Sequence, residues 1–308
     1  RDCVITALSS ALLRMSAPVK ADIVIGCVAY CDAIGSIWDG MKGYFATAGV
    51  KMDFVLFTSY EAQVDALMKG HIDIAWNGPL AHVRTQKLTH NASISLGMRD
   101  VDCNFKTHII ATKASGISVV ADLAGKKLAT GSVDSPQAYI LPLQHIKTSG
   151  VALDSLHVTR FDKDIGKHGD TAMGEVEVIK ALEGGQVDAG LVSDLMWSRA
   201  VNAGDIEASG YVIISDGPPL FDHCQFDALP TFPKEKQDAF NTALFAMTWD
   251  NAEHRRVMQL EGIKKEWARP REEGYANMRA ALADEANESF PPMFHSVDKH
   301  PFKSLVVT

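Results

Sequence analysis

The chain has 308 residues, of which 46% are hydrophobic and 22% charged, with a formal net charge of −8. That length holds two core-bearing units, and the composition excludes a disordered chain. The acidic balance argues against nucleic acid as a partner, and no apolar run approaches the roughly 20 residues of a membrane-spanning helix.

In chain order, CVITALSSALLRMSAPVKA (3–21) combines an apolar stretch with small residues before Asp22, a little like a secretion signal. Arg14 interrupts the stretch, so an ordered helix is expected; the opening arginine points to an upstream segment that has been removed. DIVIGCVA (22–29) and MDFVLFT (52–58) read as buried strands. YEAQVDALMKG (60–70) carries apolar residues three and four apart, the spacing of an amphipathic helix. In AWNGPLAH (75–82), Trp76 ends a strand and Asn77 either caps the next helix or bonds a ligand oxygen. THIIAT, KKLATGS, LHVTRF and YVIIS supply further strands, and EVEVIKALEGG (175–185) a second amphipathic helix. From FPKEKQDAFNTALFAM onward the chain reads as helices, expected on the first lobe.

One pattern occurs twice. ALMKGHIDIAW (66–76) and ALEGGQVDAGL (181–191) both read Ala-Leu-x-x-Gly-x-(Ile/Val)-Asp-x-(Ala/Gly). This is a helix end, a glycine for a left-handed cap and a short buried strand. Two copies so far apart predict two similar lobes. The expected fold is α/β and two-lobed, each lobe a mostly parallel sheet flanked by helices, with the ligand cleft between them. The expected division assigns 1–112 plus 212–308 to the first lobe and 113–211 to the second.

SYEAQVDALMKGHIDIAWNGPLAHV, FKTHIIATKASGISVVADLAGKKLATGS, VIKALEGGQVDAGLVSD and ALPTFPKEKQDAFNTALFAM cover most of residues 22–250 in order. Together they resemble periplasmic solute-binding proteins of the phosphate/phosphite/phosphonate ABC-transporter type, within the transferrin-like, type II periplasmic-binding-protein fold group. The resemblance implies two hinged lobes, no chemistry, an extracytoplasmic location and delivery of a captured solute to a membrane transporter. It also implies a hydroxyl-rich Ser-Thr-Ser run at the helix start after LATGS. Here that place reads VDSPQ, where Ser135 survives while Asp134 and Gln137 intrude. The family's histidine before KALEGG falls on Glu175, whereas Tyr60 and Asp194 match family positions.

Two stretches carry the candidate site. In GSVDSPQAYILP (131–142), the plain reading is capping by Asp134 or Ser135, Pro136 in the first turn and Gln137 completing a box. The functional reading is an anion at the helix N-terminus after Ser132. In GKHGDTAMGE (166–175), the plain reading is a polar loop with Asp170 or Thr171 as cap. The functional reading gathers His168, Asp170 and Glu175 at the cleft, which suits a cation. A third stretch, FDHCQFD (221–227), adds Asp222, His223 and Cys224, ligand types of zinc.

The expected metal ligands are therefore Asp134, His168, Asp170, Glu175, His223 and Cys224, for zinc or another divalent transition metal. The wider ligand-binding set is Tyr60, Trp76, Asn77, Asp134, Ser135, Gln137, His168, Asp170, Glu175 and Asp194. The intruding acids favour the metal; the resemblance favours a phosphate, phosphite or phosphonate oxyanion held by Ser135, Tyr60, Asn77 and backbone N–H groups. A metal-dependent enzyme on the same fold is a further alternative, although no G-x-S-x-G elbow, H-E-x-x-H helix or P-loop is present. Trp38 is expected near a pocket wall, and Trp197, Trp249 and Trp267 in the core. Five cysteines (Cys3, Cys27, Cys31, Cys103, Cys224) form no CxxC pair, with Cys27 and Cys31 placed to bridge only if the turn allows. A monomer is expected.

Overall fold

The computed structural model describes residues 23–215 and 220–283; the N-terminal segment expected as a helix lies outside them. The first lobe opens with β1 (Ile23–Val28), α1 (Ile34–Thr47), β2 (Met52–Phe57), α2 (Tyr60–Met68), β3 (Ile74–Asn77), α3 (Pro79–Leu88) and β4 (Ile94–Arg99). The chain then crosses into β5 (Thr107–Thr112), β6 (Lys127–Thr130), α4 (Leu141–Thr148), β7 (His157–Arg160), α5 (Met173–Glu183), β8 (Ala189–Ser193), α6 (Asp194–Ala203) and β9 (Tyr211–Ser215). It returns as β10 (Gln225–Ala228) and continues through α7 (Lys234–Phe245), α8 (Ala252–Leu260), β11 (Trp267–Ala268) and α9 (Ala276–Ala283).

Two sheets result, in the orders β11-β4-β10-β3-β1-β2 and β7-β6-β8-β5-β9. Within the first, β1 runs parallel to β2 and β3; within the second, β6 runs parallel to β7 and β8. Each sheet also takes one antiparallel strand where the chain crosses over: β10 lies between β3 and β4, and β5 between β8 and β9. The strand 107–112, expected in the first lobe, thus pairs in the second sheet. The two crossover segments are joined by a bridge, with Phe105 and Phe221 exchanging backbone hydrogen bonds of 2.7 and 3.0 Å.

The repeated motif folds the same way twice. Gly70 (φ +69°) and Gly185 (φ +62°) both take the left-handed conformation that ends a helix without a Cβ penalty. The aspartate three residues on then docks each motif to the first parallel strand of its own sheet. Asp73 accepts from Val24 N at 2.8 Å, and Asp188 accepts from Lys127 N at 2.9 Å. Their own amides return the bond to Val24 O and Lys127 O.

Core formation follows helical periodicity. On α1, Ile34, Ile37, Trp38, Met41, Tyr44 and Phe45 are buried against the first sheet. Each such burial contributes roughly 1.5–3 kcal/mol. Trp38 is fully buried against Phe226 and Phe54, so it belongs to the core and not to a pocket wall. Trp197 and Trp267 lie in core clusters as expected, and Trp249 packs against one. The tail divides: α7 and α8 pack on the first lobe through Phe240, Leu244, Val257 and Met258. Helix α9 instead wedges between α3 and α4, where Tyr275, Met278 and Ala281 join a cluster shared with the second sheet. The expectation that the whole tail belongs to the first lobe is corrected there. Cys27, Cys31, Cys103 and Cys224 are all free, so Cys27 and Cys31 form no bridge.

Candidate functional site

A cavity of about 250 Å³ lies where the lobes face each other. The first lobe and the crossover segments contribute Tyr30, Trp76, Arg99, Phe105, His223 and Cys224. The second contributes Gln137, the loop 169–172, Glu175 and the start of α6 with Ser193, Met196 and Arg199. The apolar part comes from strand-end aromatics: Trp76 packs on Phe226 and Trp267, and the Arg99 guanidinium lies 5.5 Å from its ring centroid.

The loop 166–172 enters from the second lobe, bent by left-handed residues at Gly166, His168, Gly169 and Ala172. Asp134 ties it down: its carboxylate accepts from Gly166 N at 2.6 Å and His168 N at 3.3 Å. Gly169 is required here, because a Cβ would stand 2.5 Å from Ser135 Oγ. Asp170 then receives the Tyr60 hydroxyl and faces His223, whose Nε2 is 3.3 Å from Asp170 Oδ1. At that distance the charges pair, although the N–H is not aimed as a good hydrogen bond. The other ring nitrogen of His223 lies 2.9 Å from Cys224 Sγ.

Burial alone would keep His223 neutral, but Cys224 and Asp170 outweigh it and raise its pKa well above the usual value. Burial also pushes the Cys224 thiol up, with His223 opposing that shift. Asp170 is correspondingly lowered: burial opposes this, and His223 and Tyr60 prevail. Glu175, in the first turn of α5, turns inward, accepting from Ser193 N at 2.6 Å and Gln137 Nε2 at 3.2 Å. Burial raises its pKa.

This geometry rearranges the expected site. Trp76, Gln137, Asp170, Glu175, His223 and Cys224 share the cavity wall. Tyr60 stands behind it, touching Asp170. Asn77 does not face it: fully buried, it bonds Gln63, Thr85 and Asp227, and Gly78 takes the α3 cap position. Ser135 is the plain cap, accepting from Ala138 N at 3.1 Å, ahead of one π-helical turn (Pro136–Ile140) that leads into α4. Gln137 completes no box, since its amide reaches Gly169 O and Glu175. Asp194 bonds the following amide of its own helix. Asp222 points away, accepting from Asn104 N and pairing with Arg271.

The expected metal set does not assemble. Asp134 and His168 do lie together, but with Glu61, and His223 and Cys224 lie with Asp102. Asp170 and Glu175 join neither group. Each carboxylate already has a partner: Glu61 pairs with His168 at 2.9 Å, and Asp102 takes both a 2.6 and a 2.7 Å bond from Arg99. Of the acids that seemed to need a bound cation, Asp170 faces His223, while Asp134 and Glu175 accept from amides of the protein itself.

Residues the sequence did not single out tilt the cavity the other way. Arg99 and Arg199 are on its wall, and Arg199 has no carboxylate partner among the described residues, only a 4.0 Å contact with Met196 Sδ. Tyr30 and Thr171 also line this space, and neither hydroxyl has an acceptor among the described residues. Glu61 was masked as an ordinary acid in a helix first turn. Nothing in the local pattern distinguishes Arg99 or Arg199.

The sequence model of the phosphonate periplasmic substrate-binding proteins of ABC transporters matches residues 38–275. A curated relative, a probable ABC transporter phosphite-binding protein PhnD1 of Prochlorococcus marinus, is 24% identical over 156 residues. That alignment spans 49% of this chain and 50% of the relative, so only about half of each is compared. Among solved structures, PhnD1 of the same organism in complex with methylphosphonate has a TM-score of 0.64 at 16% identity, covering 85% of this chain and 97% of the other. A binding-protein component of an ABC phosphonate transporter from Pseudomonas aeruginosa has a TM-score of 0.58 at 16% identity, covering 86% and 89%. These are substrate-binding proteins rather than enzymes, and the structural likeness fixes the two-lobed fold. With the family match extending over most of its length, this chain belongs to the phosphonate-type periplasmic substrate-binding proteins of ABC transporters.

Proposed function

We propose that the chain captures a small phosphorus oxyanion, a phosphonate or phosphite, between its lobes and presents it to a membrane transporter from an extracytoplasmic compartment. The lobes of this reading divide near 106 and 216, following the sheets, not at 112 and 212. One observation carries the ligand class: the cavity wall holds Arg199, which has no carboxylate partner among the described residues, together with His223 and the Tyr30 and Thr171 side chains, while Asp170 faces His223 and Glu175 accepts from Ser193 N and Gln137 Nε2. An anion brought there meets donors and positive charge. At about 250 Å³ the space falls just below common ligand pockets of roughly 300–1,000 Å³, which suits a small solute.

The anion site also shifts within the fold. At the α4 start, Asp134 places its own carboxylate on loop amides and would repel an incoming dianion. The oxyanion is instead expected near Arg199 and Thr171. Of the expected zinc ligands, His223 and Cys224 lie together with Asp102, but both oxygens of Asp102 already accept from the Arg99 guanidinium.

Calorimetry against methylphosphonate, phosphite, methanesulfonate and zinc tests the proposal. Binding of methylphosphonate or phosphite is expected, with Arg199→Ala weakening it about 10–100-fold, as loss of a hydrogen bond to a charged group does. Stoichiometric zinc uptake with no response to either phosphorus oxyanion would reverse the assignment.

A further inference from the structure

We infer that Glu61 and His168 form a latch between the lobes that controls how long a ligand stays without touching it. Glu61 sits in the first turn of α2, on the first lobe, and His168 in the loop 166–172 of the second. Both are buried, at 6% and 1% exposure, and their side chains meet at 2.9 Å. Neither lines the cavity.

Four further contacts make the same crossing. Tyr60 N donates to Gly166 O at 2.8 Å, and the Tyr60 hydroxyl reaches Asp170. The Tyr60 ring stacks on His168 with centroids 4.6 Å apart and planes 18° apart. Lys167 Nζ donates to Ala29 O. Gly166 permits this approach, because a Cβ there would lie 2.7 Å from Ser59 Cβ.

Asp134 anchors the other side of the loop to the second lobe. The loop is thus held between two supports, and its continuation, Gly169 to Ala172, is cavity wall. Latch and ligand site are two parts of one short segment. Protein groups alone build the latch, so it draws the lobes together whatever fills the cavity. Glu61 and His168 are positioning residues: they set the closed geometry in which the loop 169–172 forms cavity wall.

The test begins with amide exchange, followed by NMR on the full chain with no phosphorus oxyanion added. The Tyr60 amide should be protected in the unsubstituted protein. Glu61→Gln and His168→Gln should each accelerate its exchange at least tenfold, with amides inside the β1–β2 ladder unchanged. The double variant should be no worse than the worse single, because one pair is lost once. Gly166→Ala, which removes no buried charge, should open the same contact and serves if Glu61→Gln does not fold. An unprotected Tyr60 amide in the unsubstituted protein, equal protection in all variants, or additive effects in the double variant would overturn the latch.

A kinetic arm rests on the capture reading. With methylphosphonate as probe, Glu61→Gln should raise the dissociation rate at least tenfold and leave association within about twofold. Unchanged dissociation overturns control of residence time. If the unsubstituted protein ignores methylphosphonate, the capture reading fails, and the exchange data alone judge the latch.

Discussion

The helix–glycine–strand motif occurs once in each lobe, and its two copies agree at one end and part at the other. At the strand end, left-handed Gly70 and Gly185 and strand-docking Asp73 and Asp188 play matching roles. At the helix start they diverge. Ser59 caps α2 in the ordinary way, leaving Tyr60 and Glu61 to reach into the other lobe. Left-handed Ala172 precedes α5, and Glu175 folds back onto Ser193 and Gln137 of its own lobe. The strand ends answer to local backbone rules and packing, which tolerate little variation. The helix starts face the cleft, where neighbours come from distant segments and side chains are free to take different partners.

The sharpest way to break this comparison is at the paired position Ala75 and Gly190. A Cβ on Gly190 would come within 2.6 Å of Val178 and 2.9 Å of Leu182. Gly190→Ala should therefore cost about 1–3 kcal/mol by overpacking, read as a lower midpoint in urea. A neutral result would mean the second copy is looser than its geometry states. Next, Asp73→Ala and Asp188→Ala should each cost about 1 kcal/mol, one hydrogen bond to a strand amide apiece. Similar losses sharpen the equivalence, and a large inequality ends it.

The smallest effect distinguishes the lobes by pH. Buried His82, in the first lobe, is disfavoured as a cation by burial, but Asp227 and Glu272 raise its pKa from 6.5 to about 9. Its stabilising charge is thus fully present below about 6.5 and lost as pH rises through about 9. Thermal midpoints should decline over that interval, and His82→Gln should flatten the decline. A slope that survives the substitution would assign it to other groups.

Much of the scaffold was legible because its signals are local. Strand runs such as DIVIGCVA and YVIIS, and the spacing on α1 and α2, need no distant information. The placement of α9 does, since its apolar face suits either lobe until both cores exist. The site was legible in part. Part of GKHGDTAMGE is a wall of the cleft, and four of the ligand-binding candidates line the cavity together with His223 and Cys224 of the metal set. The error lay in charge. Asp134 and Asp170 read as a surplus because the groups that satisfy them, the Gly166 amide and His223, lie 32 and 53 residues away in sequence. The cations that complete the picture, Arg99 and Arg199, carry no periodic or motif signature.

The wedge made by α9 bears on how this molecule can breathe. Tyr275, Met278 and Ala281 belong to the same apolar cluster as α3 on one side and α4 on the other. Parting the sheets by a free swing about the Phe105–Phe221 bridge would tear that cluster. The low-cost movement is a sideways glide of packed helices over a short arc. Removing residues from 276 onward should widen that arc, while the contacts of Tyr60 and Glu61 with the loop 166–172 still tie the two halves.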